Sequence, residues 1–486
     1  MTNRLGCIPA AVAALSAGSA LAGPLDEVPP GAITIGERPA IEHHVDQADI
    51  DAGVLNLKTL RAYGETLFVA RFNRLDGQGR PGSTGTGAPR VPEQPAFIRT
   101  SAPDSNACSG CHNQPSAGGG GDFVANVFVL AQALDPVTDS TSPTFSNERN
   151  TLGMFGSGAV EMLAREMSAE LIAIRDDAAR AAQSTGQPAT RPLRAKGVSF
   201  GRITVLPDGR VDPSAIEGVD WDLIVKPFHQ KGAVVSLREF SNNAMNHHHG
   251  MQSVERFGAG VDADLDGVAD ELTVGDMTAV TVFQASLPIP TVDPTLEPER
   301  RRAVSYGAWV FESVGCGGCH VPELHLESRF FSEPNPYNPP GNLSPAEVPK
   351  PFGWNMTTQG PLPRLEREGD GAVVRAFTDL KRHDLCDADH AFFCNEQVPQ
   401  GSLAGFASPA SFTVAPEPRP TRGFLARKLW DVGNSDPYGH RGDLTTLTEA
   451  IDDHGGEARA SREAFFVLPK SAQDAVIEFL KSLQVL

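Results

Sequence analysis

The pattern Cys-x-x-Cys-His occurs twice in this chain, as "CSGCH" at 108–112 and as "CGGCH" at 316–320. Two closely spaced thiols with an adjacent imidazole hold the local chain to one tight turn. This is the attachment signature of c-type haem. The thiols add to the two vinyl groups of one porphyrin, and the histidine lies under the iron as its proximal ligand. A structural zinc site expects two cysteine pairs close together or a nearby histidine pair, and neither occurs. A thioredoxin-like redox pair needs a βαβ setting and no histidine. The pattern therefore predicts two covalently bound haem c groups. Cys108, Cys111 and His112 hold the first, and Cys316, Cys319 and His320 the second.

The flanks repeat as well. "AYGETLFVARF" at 62–72 and "SYGAWVFESVG" at 305–315 share Tyr-Gly-x-x-apolar-Phe. Apolar residues at helical spacing make each a helix leading towards its motif, with two unrelated amphipathic helices as the simpler alternative. A Gly/Pro-rich loop, "DGQGRPGSTGTGAPRVPEQP" (76–95), separates the first helix from its cysteines. Further helices are expected at 158–183, 235–257 and 472–486, while strand-like alternation is short and scattered. The expected fold is mainly α, with two cytochrome c-like haem domains and long irregular loops. The chain divides into a signal peptide at 1–22, an N-terminal haem domain at 23–290 and a C-terminal one at 291–486. The two domains join near the Pro-rich segment 286–301.

The formal charge of −19 over 486 residues argues against nucleic acid or an anionic membrane as partner. It permits a small cationic electron carrier. The first residues carry Arg4, an Ala-rich apolar run and Ala20-Leu21-Ala22 as a cleavage site, the layout of a secretory signal. No later stretch is long and apolar enough for a transmembrane helix. The mature protein is expected to be exported, in the periplasm. In that oxidising compartment Cys386 and Cys394, flanking "DADHAFF", are expected to form a local disulfide.

Two segments carry weaker signals. "GVDADLDGVADE" places Asp262, Asp264 and Asp266 at alternate positions, followed by Gly267 and Asp270. Alternating carboxylates before a glycine turn can wrap Ca²⁺, although the spacing is not that of an EF-hand, and a solvated acidic loop is the alternative. "NHHHG" holds His247, His248 and His249, which point in different directions on a helix. Solvated or packed imidazoles, a propionate contact and a second axial ligand are the readings for them.

The segments "SAPDSNACSGCHNQPSAGGGGDFVANVFVLAQ", "ERNTLGMFGSGAVEMLARE", "NHHHGMQSVERFG", "CGGCHVPEL" and "DPYGHRGDLTTLTEAIDDHGGEA" resemble the di-haem oxidoreductase family. That family is related to the bacterial di-haem cytochrome c peroxidases and, more distantly, to the rubber oxygenases. The resemblance runs from about residue 55 to the C-terminus and implies two cytochrome c-like domains with their haems facing a shared interface. It implies that the His112 haem meets the oxidant and that the His320 haem stores and passes on electrons. His454, in "IDDHGGE", stands where the peroxidase relatives supply a Met as sixth ligand, with Met356 as the other candidate and His440 as a structural or propionate-contact residue. A histidine in that place favours Fe(III). "ERNTLGMFGSGAVE" offers Arg149, Asn150 and Glu161 as distal catalytic residues, with Glu161 as the acid–base group, while Phe155 in the same stretch could crowd the distal face. The relatives also hold Ca²⁺ near the haem interface.

These readings together imply a peroxidase fed by a small c-type cytochrome or copper protein, with peroxide or O₂ as oxidant. Trp309 and Trp430 are candidates for the path between the haems. An oxygenase acting on an organic substrate and a non-catalytic electron-transfer cytochrome are the alternatives.

Overall fold

A computed structural model describes residues 36–79, 105–126, 148–264, 266–292, 295–391, 394 and 423–485. The expected signal peptide lies outside the described residues, as does most of the Gly/Pro-rich loop. Pro39–Leu486 forms one compact unit. The helices that organise it are α1 (Leu57–Val69), α2 (Ser157–Thr185), α3 (Leu237–His249), α4 (Val274–Ala285), α5 (Pro298–Ser313), α6 (Leu447–Asp452), α7 (Arg459–Phe466) and α8 (Lys470–Lys481).

The same helix crossing is built twice. Helix α1 is capped by Asn56, whose side chain accepts from the Thr59 N–H at 3.1 Å, and it buries Leu60, Gly64, Leu67 and Phe68 on one stripe. Gly64 presses on α4, where an added Cβ would stand 2.0 Å from the Ala279 carbonyl oxygen and 2.7 Å from Phe283 Cβ. Helix α5 starts on Pro298 and buries Val304, Gly307, Val310 and Phe311. Gly307 presses on α8, where a Cβ would stand 1.8 Å from the Ala475 oxygen and 3.0 Å from Phe479 Cβ. The phenylalanines close each crossing, with Phe68–Phe283 ring centres 5.2 Å apart and Phe311–Phe479 centres 5.4 Å apart. The repeated Tyr-Gly-x-x-apolar-Phe is thus a repeated packing unit. Its glycine lets two helix backbones touch, and its phenylalanine fills the crossing.

The expectation of a mainly α fold is overturned. The chain is mixed, with 38% helix and 16% strand, and its described strands form small antiparallel sheets of two or three strands. The largest pairs Ala189–Ala195, Val198–Val205 and Val211–Asp212 beside the long helix α2. Its first turn is Lys196-Gly197, both with positive φ at 50° and 84°, the geometry that matches the twist of a two-residue hairpin. Lys-Gly lacks the Asn-Gly or Asp-Gly signature, and strands this short carry too few residues for a period-two pattern to stand out.

Apolar side chains gather in two clusters. The larger surrounds α4, in which Gly275 to Ala285 are all buried. The second joins α5, α7 and α8 through residues such as Phe311, Phe465 and Phe479. The larger cluster also takes in Leu324, Phe331, Trp354 and Trp430, so its membership crosses the 290/291 boundary drawn from the sequence.

Candidate functional site

Each Cys-x-x-Cys-His forms a short 3₁₀ turn, at Cys108–Gly110 and at Cys316–Gly318. The backbone bonds match. The His112 N–H donates to Cys108 O at 2.9 Å and the His320 N–H to Cys316 O at 3.0 Å. Each imidazole lies against the phenylalanine of its helix crossing, with Phe68–His112 centres at 6.4 Å and 53°, and Phe311–His320 centres at 6.3 Å and 51°. His112 Nδ1 is 3.3 Å from Gly119 O, and His320 Nδ1 is 3.1 Å from Phe377 O. A carbonyl oxygen only accepts, so Nδ1 carries the proton and Nε2 keeps a lone pair for a metal. Burial pushes both imidazoles down to about 4, which holds them neutral at physiological pH. Burial pushes the Cys108 thiol up to about 12 and the Cys316 thiol up to about 11.

Each turn borders a cavity. The first, of about 190 Å³, is lined by Cys108, Cys111 and His112 together with Arg149, Met245 and His248. The second, of about 570 Å³, is lined by Cys316, Cys319, His320, His440 and His454. In the second cavity the His320 and His454 rings are 6.3 Å apart, centre to centre, and inclined at 55°. His454 Nδ1 is 2.7 Å from Ala450 O, so this imidazole also keeps its Nε2 lone pair. Burial lowers its pKa. Metal–imidazole bonds are about 2.0–2.1 Å and a ring nitrogen lies about 1.1 Å from its ring centre, so two imidazoles ligating one ion from opposite sides have centres about 6.3 Å apart. The donor set, two thiols and one neutral imidazole per cavity with a facing histidine in the second, fits two c-type haems. Among the described residues, no imidazole faces His112 in this way.

His454 is placed by the loop that holds the disulfide. Helix α6 is capped by Thr446 and Glu449, and the chain turns at Asp453 into His454. Gly455 and Gly456 then pass close to another backbone, where a Cβ on Gly456 would stand 2.2 Å from Asp384 O. That backbone leads into the bonded pair Cys386–Cys394, the disulfide expected from the sequence. Asp387 in this loop accepts from the Gly456 N–H at 2.8 Å, and His390 Nε2 lies 3.1 Å from Asp452 O. The double glycine therefore serves a close approach to the disulfide loop.

Several expected residues stand elsewhere. Glu161 does not line the first cavity. It sits one turn of α2 beyond Ser157, which does, and its oxygens accept from the Leu237 N–H (2.9 Å), from Asn335 Nδ2 (2.8 Å) and from Arg165. Arg165, Arg238, Glu255 and Glu333 complete this buried network, and burial pushes Glu333 up to about 7. Arg149 and Asn150 do line the first cavity. Asn150 also ties it to the "DPYGHRG" turn, donating from Nδ2 to Pro437 O at 2.6 Å. Phe155 and Met356 are packed in the larger core and line neither cavity. Trp430 is buried and lines the second cavity. Trp309 is 63% exposed and stacks on Tyr306 on the solvent face of α5, so it does not lie between the cavities.

Of the three consecutive histidines, His248 and His249 line the first cavity. His249 Nε2 lies 3.3 Å from Cys108 Sγ. In the second cavity His383 Nδ1 lies 3.7 Å from Cys319 Sγ, a residue the sequence does not mark. Asp262, Asp264 and Asp266 come together, their oxygens within 4.8 Å of one another. Asp270 turns away to accept from the Gly260 N–H at 2.7 Å. Glu271 takes its place near the cluster, joined to Asp264 through Gln252 Nε2 at 2.5 and 2.8 Å.

Two cavities are bordered by Cys-x-x-Cys-His turns, one of them with a facing pair of imidazoles. Residues 420–483, which carry His440 and His454, match the family model described as "Di-haem oxidoreductase, putative peroxidase", and this bears out the resemblance over that segment of the chain. Among solved structures the chain is similar to a hydrazine synthase of Kuenenia stuttgartiensis, at 15% identity over 63% of this chain and 87% of that one, with a TM-score of 0.28. It is also similar to a MauG-like protein associated with microbial copper homeostasis, at 17% identity over 59% and 79% of the two chains, with a TM-score of 0.26. No curated protein matches the chain significantly. Among the described residues, no helix is long and apolar enough to cross a membrane.

Proposed function

We propose that the chain is an exported di-haem c-type oxidoreductase that reduces peroxide at the His112 cavity with electrons passed through the His320 cavity. Cys108 and Cys111 would carry the first haem and Cys316 and Cys319 the second, with His112 and His320 as proximal ligands and His454 as the sixth ligand of the second. When bound, haem would supply one-electron redox chemistry at both places. The haem-bearing units would be 23–290 and 291–486, the compartment the periplasm, and the donor a small c-type cytochrome or copper protein.

The observation that carries this reading is an asymmetry. His320 and His454 face each other at 6.3 Å, whereas His112 has no such partner among the described residues. A centre with both axial places filled changes geometry little between oxidation states and suits electron transfer. A centre with one place open admits a small oxidant. At the open cavity Arg149 and Asn150 supply polar groups able to stabilise charge that develops on a departing oxygen. The Asp262, Asp264 and Asp266 cluster would bind Ca²⁺.

Electron paramagnetic resonance of the oxidised and half-reduced protein tests this assignment. One low-spin signal, unaffected by peroxide, should accompany a second signal that peroxide alters. Two low-spin signals that both ignore peroxide would overturn the peroxidase reading. A denaturing gel stained for haem should stay positive, and replacing Cys316 and Cys319 by Ala should remove one haem of two.

A further inference from the structure

The two cavities share a wall made by Asn150, Thr151, Leu152, Gly153, Gln230 and Arg427. Arg427 is the one charged residue in it. Backbone bonds on both sides fix its place. The Leu425 N–H donates to Gln230 O at 3.0 Å, the Ala426 N–H to Lys381 O at 2.9 Å and the Leu429 N–H to Ala376 O at 2.9 Å. Between these bonds, Arg427 borders both cavities and Lys428 borders the second only.

Neither cation makes an ion pair among the described residues, in a chain whose formal charge is −19. Burial alone pushes Arg427 down to about 10, with no carboxylate acting against it. Burial and the neighbouring Arg427 push Lys428 down to about 7, with Asp431 as the one opposing carboxylate. Both side chains are half-buried at the cavity walls, and a partly desolvated cation is stabilised by an anion beside it. A guanidinium is the side chain best shaped to hold two carboxylates at once, since its five N–H donors form a planar fork.

We propose that Arg427 binds a carboxylate of the prosthetic group in each cavity at the same time, bridging a propionate of one haem to a propionate of the other and coupling their reduction potentials. Lys428 holds a carboxylate in the second cavity alone. The proposal rests on the di-haem reading above. A cation near an iron favours Fe(II), so its loss favours Fe(III) at both centres.

The test is a spectroelectrochemical titration of the purified holoprotein, with haem content measured first. Two haems per chain uphold the di-haem reading independently of Arg427, and fewer overturn that reading and this proposal with it. Arg427→Gln should lower both couples, each by a threefold or greater shift of the Fe(III)/Fe(II) equilibrium, about 28 mV at 59 mV per tenfold. Lys428→Gln should lower the His320 couple only. If Arg427→Gln changes one couple or neither, Arg427 is not a shared counter-ion. If that variant does not accumulate, Arg427→Lys decides. Its single ammonium cannot span two carboxylates, so at least one couple should fall by the same threefold, and two unshifted couples overturn the proposal.

Discussion

The imidazoles of His320 and His454 face each other across the second cavity with ring centres 6.3 Å apart, each held by its Nδ1 on a backbone carbonyl. Removing the second ring should open one axial face. His454→Gly should convert a low-spin signal to high-spin, and added imidazole should restore it. His454→Met should keep the low-spin state and raise the potential, since thioether ligation favours Fe(II). An unaltered low-spin spectrum in His454→Gly would show that another residue ligates. Met356, packed in the larger core, is placed too poorly to be that residue.

Glu161 is held by Arg165, Asn335 and the Leu237 N–H, with both its oxygens used. Its loss would leave Arg165 undercompensated in a buried network. Glu161→Ala should therefore lower stability by about 3–5 kcal/mol, the cost of breaking a buried ion pair, as read by denaturant unfolding. Peroxide turnover by the folded fraction should change less than about threefold. A loss of a hundredfold or more, the range of a positioned acid–base group, at unchanged stability would make Glu161 catalytic.

The acidic cluster should make stability depend on pH and on calcium together. Burial raises Asp264 from its ordinary 3.8 to about 7, and burial raises Glu271 from 4.5 to about 9. The folded state thus holds more protons than the unfolded state. The stability these two groups contribute is full below about pH 4 and is lost as pH rises through about 7 and about 9. Calcium requires the ionised carboxylates and releases their protons on binding. Its stabilising effect should be small at pH 5 and large at pH 8, reaching about 2.7 kcal/mol at a hundred times Kd. Melting curves with calcium and with chelator at both values of pH check this. Equal curves at pH 8 would make the loop merely acidic.

The two glycine contacts should behave as a matched pair. Gly64→Ala and Gly307→Ala each place a Cβ within 2.0 Å of a facing carbonyl oxygen, so the helices must part. Each should cost about 1–3 kcal/mol or more, the usual cost of overpacking. Gly64→Ala should perturb the His112 spectrum, and Gly307→Ala the His320 spectrum. Tolerance of both without loss of melting temperature would remove the repeated crossing as a structural unit.

Features confined to a few residues of chain are legible without the fold. Cys108 to His112 and Cys316 to His320 carry their chemistry in contiguous residues, and each backbone closes on itself from His to the first Cys. The Cys386–Cys394 bond was legible for the same reason, since so short a loop brings its ends together. The repeated Tyr-Gly-x-x-apolar-Phe announced two equivalent helices, although the partners α4 and α8 share no motif that names them. The small sheets escaped notice because strands this short show little periodicity, and Lys196-Gly197 is not the usual hairpin pair. Tertiary structure alone decided that Glu161 faces Arg165 and Asn335 away from the cavity, that Glu271 takes the place expected for Asp270, and that Arg427 stands between two cavities. Those positions depend on which distant segments pack together. A carboxylate or guanidinium reads the same in sequence whether its neighbours are water, a salt bridge or the wall of a cavity.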